Sequence, residues 1–164
     1  MPSRAGAISA RISVEPGAAL LDANSESRWG ALGGAAVGVR ITDLLWLEAW
    51  ADAKHFRASA PVHRVATVAV LLAYAIDIGP VAPFAELGVA RPELEVAPTS
   101  RRREPTTTTE IVPILGLGFD MAVFGALQLG AAVRYLPLFE TSLLGSPAYT
   151  SLSGRLSLCL DCDD

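Results

Sequence analysis

Twelve charged side chains recur at alternate positions along this chain: Arg11, Glu15, Arg40, Glu48, Asp52, Lys54, Asp77, Glu86, Glu110, Asp120, Arg134 and Arg155. Both signs are present, and glycine, alanine and serine fill much of the same alternation. Small neighbours leave room for long charged side chains, and opposite signs supply partners. An isolated buried charge costs several kcal/mol, whereas a paired and hydrogen-bonded one is tolerated. The pattern therefore reads as an ion-pair network packed into a narrow interior.

Other chemistry-bearing residues offer less. Cys159 and Cys162 form a lone C-x-x-C. Zinc needs about four ligands and no second pair accompanies them, while a redox C-x-x-C opens a helix rather than closing a strand. Tail thiols or a small disulfide are the expected state. His55 and His63, the only two histidines, flank Ser59. Spacing across a loop positions no base against a nucleophile, so no catalytic residue is assigned. Arg101, Arg102 and Arg103 sit in the longest loop and suit phosphate, which guanidinium grips bidentately. Glu93, Glu95 and Glu104 partly neutralise that loop, so a solvated charge run is the favoured reading over a lipopolysaccharide contact. Gly116 and Gly118 lack the third glycine and helix start of a phosphate loop. No metal or cofactor is expected.

The alternation that carries the charges has period two, which means β-strands with one polar and one apolar face. "SLSGRLSLCL", residues 151–160, sets Ser151, Ser153, Arg155 and Ser157 against Leu152, Leu156, Leu158 and Leu160. Eight such strands are predicted, near residues 7–20, 29–42, 44–56, 64–78, 81–91, 108–123, 125–136 and the 151–160 stretch. Short turns are expected at residues 42–43, 79–80 and 124–125, and longer loops near 22–28, 55–63, 92–107 and 137–148. Alternating short and long connections describe an up-and-down meander with two unlike ends. Trp29, Phe56, Phe84, Phe124, Tyr135, Phe139 and Tyr149 lie toward strand ends, where interfacial aromatic girdles are expected. Trp46 and Trp50 fall on the charged side of their strand and break the simple alternation.

Which face is inside decides the rest. Charged residues are 18% of the 164, against about 25% in soluble domains, and mean hydropathy is +0.39. Lys54 is the only lysine. No apolar run is long and clean enough for a membrane helix, and a helical bundle leaves the alternation unexplained. A soluble lipocalin-like barrel holding a lipophilic ligand would turn the leucines inward, but it predicts a lysine-rich surface and a flanking helix. A net charge of −4 gives no general attraction to nucleic acid. The apolar faces instead make a continuous lipid-facing band, and the charges line the interior.

The stretches "LGGAAVGVRITDLLWLEAWADA", "VAPFAELGVA" and "LGLGFDMAVFGALQLGAAVRY" resemble the glycine- and alanine-rich hairpins of small bacterial outer-membrane β-barrels. These include the transmembrane domain of outer membrane protein A and its eight-stranded relatives. The resemblance covers nearly the whole chain and is one of pattern. It implies an all-β fold, an eight-stranded antiparallel up-and-down transmembrane barrel forming one domain over residues 1–164. Periplasmic turns would be short and outer loops longer. Such barrels often end on an aromatic residue, whereas this chain ends "LSLCLDCDD"; "MPSRAGAIS" also lacks the apolar core of an export signal. The expected role is structural, envelope-anchoring or surface-recognising, without enzymatic activity. A charge-plugged interior, a monomeric state and contact with membrane lipid are expected with it. A narrow ion pore and a lipid-modifying enzyme are the remaining alternatives.

Overall fold

The computed structural model describes residues 9–23, 26–56, 62–96, 106–138 and 148–160. Among them run nine strands: β1 (Ala10–Ala23), β2 (Glu26–Arg40), β3 (Leu45–Phe56), β4 (Val62–Ala75), β5 (Val81–Val96), β6 (Thr106–Thr109), β7 (Val112–Phe124), β8 (Leu127–Pro137) and β9 (Ala148–Leu160). Every pairing is antiparallel and joins neighbours in sequence, except that β5 pairs with both β6 and β7 and that β1 pairs with β9 to close the ring. Closure removes every sheet edge, so each backbone polar group in the wall can find a strand partner.

β6 and β7 act as one stave, so the barrel has eight. Both pair with β5 in one continuous register, with Glu93 opposite Thr109 and Ala90 opposite Val112. Glu110 and Ile111 therefore stand opposite Pro92 and Arg91. Pro92 has no N–H to donate, which accounts for the break in the ladder.

The registers also fix the slope of the wall. From Ala10 the partners run through Val39, Leu47, Leu72, Leu87, Leu115, Tyr135 and Thr150, and return to β1 at Leu20, ten residues on. A row across the strands thus climbs by that stagger in one circuit, which is the shear a closed barrel requires.

One end holds residues 41–44, 76–80 and 125–126 as tight connections. Gly79 (φ 63°) and Gly125 (φ 51°) supply the left-handed backbone that two of these turns need. Thr42 Oγ1 accepts from the Leu45 N–H at 3.1 Å in the third. The opposite end is joined by residues 24–25, 57–61, 97–105 and 138–147. The expected loop at residues 22–28 is therefore corrected to a two-residue link. Strand pairing reaches further than the hydrophobic pattern, with Asp22 opposite Ser27 and Ala23 opposite Glu26.

The strict alternation of burial gives the wall two unlike faces. Leu152, Leu156, Leu158 and Leu160 point outward, and Ser151, Ser153, Arg155 and Ser157 point inward. The same holds round the ring: Ile12, Val14, Val37, Val70, Leu87, Leu117 and Leu129 face out. The lipocalin-like arrangement is thereby inverted. Aromatic positions divide by parity rather than by strand end. Trp29, Phe124 and Tyr135 are exposed on the outside. Phe56, Phe84 and Tyr149 are corrected to the interior, because they share the alternation of Lys54, Glu86 and Ser151. Phe139 lies outside the described residues.

Candidate functional site

Three arginines organise the turn-side half of the interior. Arg155 on β9 lies nearest its centre. Its guanidinium comes within 2.7 Å of Glu48, 3.4 Å of Glu15, 3.6 Å of Glu86 and 3.7 Å of Asp120. Arg134 on β8 forks Glu86, with Nε donating to Oε2 at 2.7 Å and Nη2 to Oε1 at 3.1 Å. It also donates to both oxygens of Glu15. Arg11 on β1 donates to Asp120 Oδ2 at 2.6 Å and to Glu48. Three guanidiniums thus meet four carboxylates drawn from β1, β3, β5 and β7.

The space for this comes from small residues. A Cβ at Gly116 would stand 2.6 Å from Glu86 Oε2 and 3.2 Å from Arg134 Cγ. Neutral donors and rings complete the network. Arg155 Nε donates to Ser13 Oγ at 3.3 Å, and Ser13 and Ser157 share a hydrogen bond of 2.9 Å. Trp50 Nε1 donates to Glu15 at 3.1 Å. Arg11 stacks over Trp46 and Arg134 over Trp50, each 4.8 Å from the ring centroid, and Arg155 lies 5.1 Å from that of Phe84. The tryptophans that broke the alternation of β3 are therefore cation–π partners of the network. Their parity with Glu48 and Asp52 was the signal for it.

Lys54 and Asp52 form a separate pair nearer the loop end. Lys54 Nζ donates to Asp52 at 2.7 Å and to Thr67 Oγ1 at 3.0 Å, between the rings of Trp50 and Tyr149. Around it the filling is apolar: Leu21, Leu32, Phe56, Val65, Leu94, Val112, Ile114, Leu136 and Tyr149 belong to one buried cluster. At the turn end a polar vestibule of about 210 Å³ opens between Arg11, Arg40, Trp46, Asp77, Asp120 and Gln128. Arg11 Nε, Arg40 Nε, Asp120 Oδ1 and Gln128 Oε1 are buried there without a protein partner. Two donors and two acceptors in a polar space of this size are a setting for water.

Nine of the twelve charges singled out from the sequence are buried inside: Arg11, Glu15, Glu48, Asp52, Lys54, Glu86, Asp120, Arg134 and Arg155. Three lie at the margins of the interior rather than within its ion-pair network, and are corrected in that respect. Arg40 is the last residue of β2 and turns to Asp43, donating to its carbonyl at 3.0 Å. Asp77 is exposed in the link between β4 and β5. Glu110 stands in the break between β6 and β7 and is half-buried. Arg101, Arg102, Arg103, Ser59 and Cys162 lie outside the described residues, as does the side chain of His63. His55 is exposed on the outer wall. Cys159 faces the vestibule and is disulfide-bonded. Among the described residues no three His, Cys, Asp or Glu side chains are grouped to hold a metal.

A closed eight-stranded barrel with charges within and hydrocarbon without is the class this geometry defines. No protein-family model and no curated protein matches the sequence. Solved structures do match the fold. Neisserial surface protein A superposes with a TM-score of 0.72 at 17% identity, over 92% of this chain and 96% of that one. The N-terminal β-barrel domain of Pseudomonas aeruginosa OprF gives 0.66 at 12% identity, over 92% and 97%. The outer membrane protein OprG from Pseudomonas aeruginosa gives 0.63 at 12%, over 92% and 95%. At these identities the likeness is one of fold.

Proposed function

We propose that the chain is an integral outer-membrane β-barrel protein that acts as a non-enzymatic anchor, holding its four loop-end links at the cell surface for a structural or recognition role. One observation carries the reading: the wall is apolar outside around its whole circumference, while its charges are paired inside. A surface of this kind is stable against lipid and unfavourable against water. The fold shared with OprG, an outer membrane protein by name, supports the location. A non-enzymatic role is favoured by the engagement of the buried charges with one another. Of the described residues of the His–Ser idea, His55 faces away from the interior.

The network also plugs the barrel, since eight strands leave room for side chains rather than a channel. The test is folding of the full chain into detergent micelles, lipid vesicles and plain buffer, read by far-ultraviolet circular dichroism. A β spectrum in micelles and vesicles alone is expected, and a stable β fold in buffer contradicts the membrane assignment. In planar bilayers the folded protein is expected to show no steady openings; a resolved unitary conductance would overturn the plug.

A further inference from the structure

We infer that the turn-end vestibule binds one small monovalent metal cation, with Asp120 Oδ1 and Gln128 Oε1 as its protein ligands. The inference goes beyond the anchor reading and rests on it for one premise, that hydrocarbon surrounds the bore. The first ground is a count of charge. In the lower half of the interior Arg11, Arg134 and Arg155 face Glu15, Glu48, Glu86 and Asp120, and all seven are buried. Lys54 is engaged by Asp52. Among the described residues one negative charge is therefore left over, in a bore where an uncompensated charge is costly.

The hydrogen bonds place that charge on one atom. Glu15 and Glu86 each accept from Arg134 at both oxygens. Glu48 accepts from Arg11 at Oε1 and from Arg155 at Oε2. Asp120 differs. Arg11 and Arg155 both approach its Oδ2, at 2.6 and 3.7 Å, and its Oδ1 is buried without a protein partner. That oxygen lies over Gly130, in a position that a side chain there would close. Gln128, two residues from Gly130 on the same face of β8, brings a second buried acceptor without a partner, Oε1. Both residues line the vestibule of about 210 Å³. At about 30 Å³ per water, that is space for an ion with most of a hydration shell. At the rim Arg40 is turned to Asp43, and Asp77 adds a second exposed carboxylate, so the mouth is net negative and draws cations in. Water serves the two buried donors of the same space, Arg11 Nε and Arg40 Nε. A monovalent cation balances the surplus charge, whereas a divalent one exceeds it and would draw on more carboxylate oxygens than the single free one.

The experiment is urea unfolding of the full chain from non-ionic micelles at neutral pH, with sodium chloride exchanged for choline chloride at constant ionic strength. Where Na⁺ exceeds its dissociation constant, a tenfold rise in Na⁺ should raise the folding equilibrium constant about tenfold. Asp120→Asn should remove this dependence. It leaves three carboxylates to three guanidiniums, so without Na⁺ it should be at least as stable as the parent. Gln128→Leu should raise the Na⁺ concentration required severalfold, and Asp22→Asn, an exposed carboxylate at the loop end, should change nothing. Broadening of the ²³Na resonance by the folded parent, absent with Asp120→Asn, is the second readout. Equal stability of the parent in both salts overturns the site and leaves the surplus charge to a proton on Asp120. A Na⁺ dependence that survives in Asp120→Asn overturns it as well. Circular dichroism of the same samples separates the two readings. A barrel folded only in micelles but indifferent to Na⁺ ends this inference alone, whereas a barrel equally folded in buffer ends the membrane reading.

Discussion

Along β1 the inward side chains change character once. Arg11, Ser13 and Glu15 occupy the turn-side half, and Ala19 and Leu21 the loop-side half. β7 repeats the change, with Asp120 and Gly116 below Ile114 and Val112, and so does β8, with Gln128 and Arg134 below Leu136. The two halves fill the same narrow bore in different ways. The lower half pairs charges over glycine and serine; the upper half packs Leu, Ile, Val and aromatic rings about the single Lys54–Asp52 pair. The difference separates specificity from cohesion. Apolar packing contributes stability in proportion to the area buried. A buried ion-pair network contributes little net stability, yet losing one member leaves its partners uncompensated.

The largest effect should come from the centre of the charged half. Arg155→Ala leaves four carboxylates to two guanidiniums, Glu15 and Glu86 on Arg134 and Glu48 and Asp120 on Arg11, and should cost about 3–5 kcal/mol in urea unfolding from vesicles. A loss below about 1 kcal/mol would mean that the lower half is hydrated and loosely coupled. In the apolar half, Ile114→Ala should cost about 2–4 kcal/mol by cavity formation, with the network's pairing unaltered. Gly116→Ala crowds the Glu86 carboxylate and Arg134 stem and should cost about 1–3 kcal/mol; adding Glu86→Asp to it should recover part of the loss. The smallest change is expected where charge sits within the apolar half. Lys54→Met combined with Asp52→Leu should be within about 1 kcal/mol of the parent, while Lys54→Met alone should be several-fold worse.

Much of this was legible in the sequence because period two is local. Each strand announces its own two faces, and a charge at one position marks its i+2 neighbours as interior. The same rule, applied without regard to residue type, places Phe56, Phe84 and Tyr149 inside, where treating aromatics as girdle residues overrode it, and it turns Trp46 and Trp50 from a break in the pattern into interior residues. Arg40, Asp77 and Glu110 obey the alternation but stand where strands end or break, and parity carries no information about height in the barrel. The extent of pairing between residues 22 and 28 was hidden because polar, weakly patterned residues there are held by the register of β1 on β2 rather than by burial. The two-part interior was hidden too, since it arises from the stagger that brings turn-side residues of distant strands to one level.

The central claim is that the leucine face meets hydrocarbon. It is tested most directly by a nitroxide label at Leu117→Cys, 67% exposed in mid-wall, compared with a label at Glu95→Cys in the polar collar, both in lipid vesicles. Collision with dissolved oxygen and exclusion of a water-soluble nickel chelate at Leu117, with the reverse at Glu95, is the predicted result. A Leu117 label that meets the nickel chelate as freely as the Glu95 label would contradict the account.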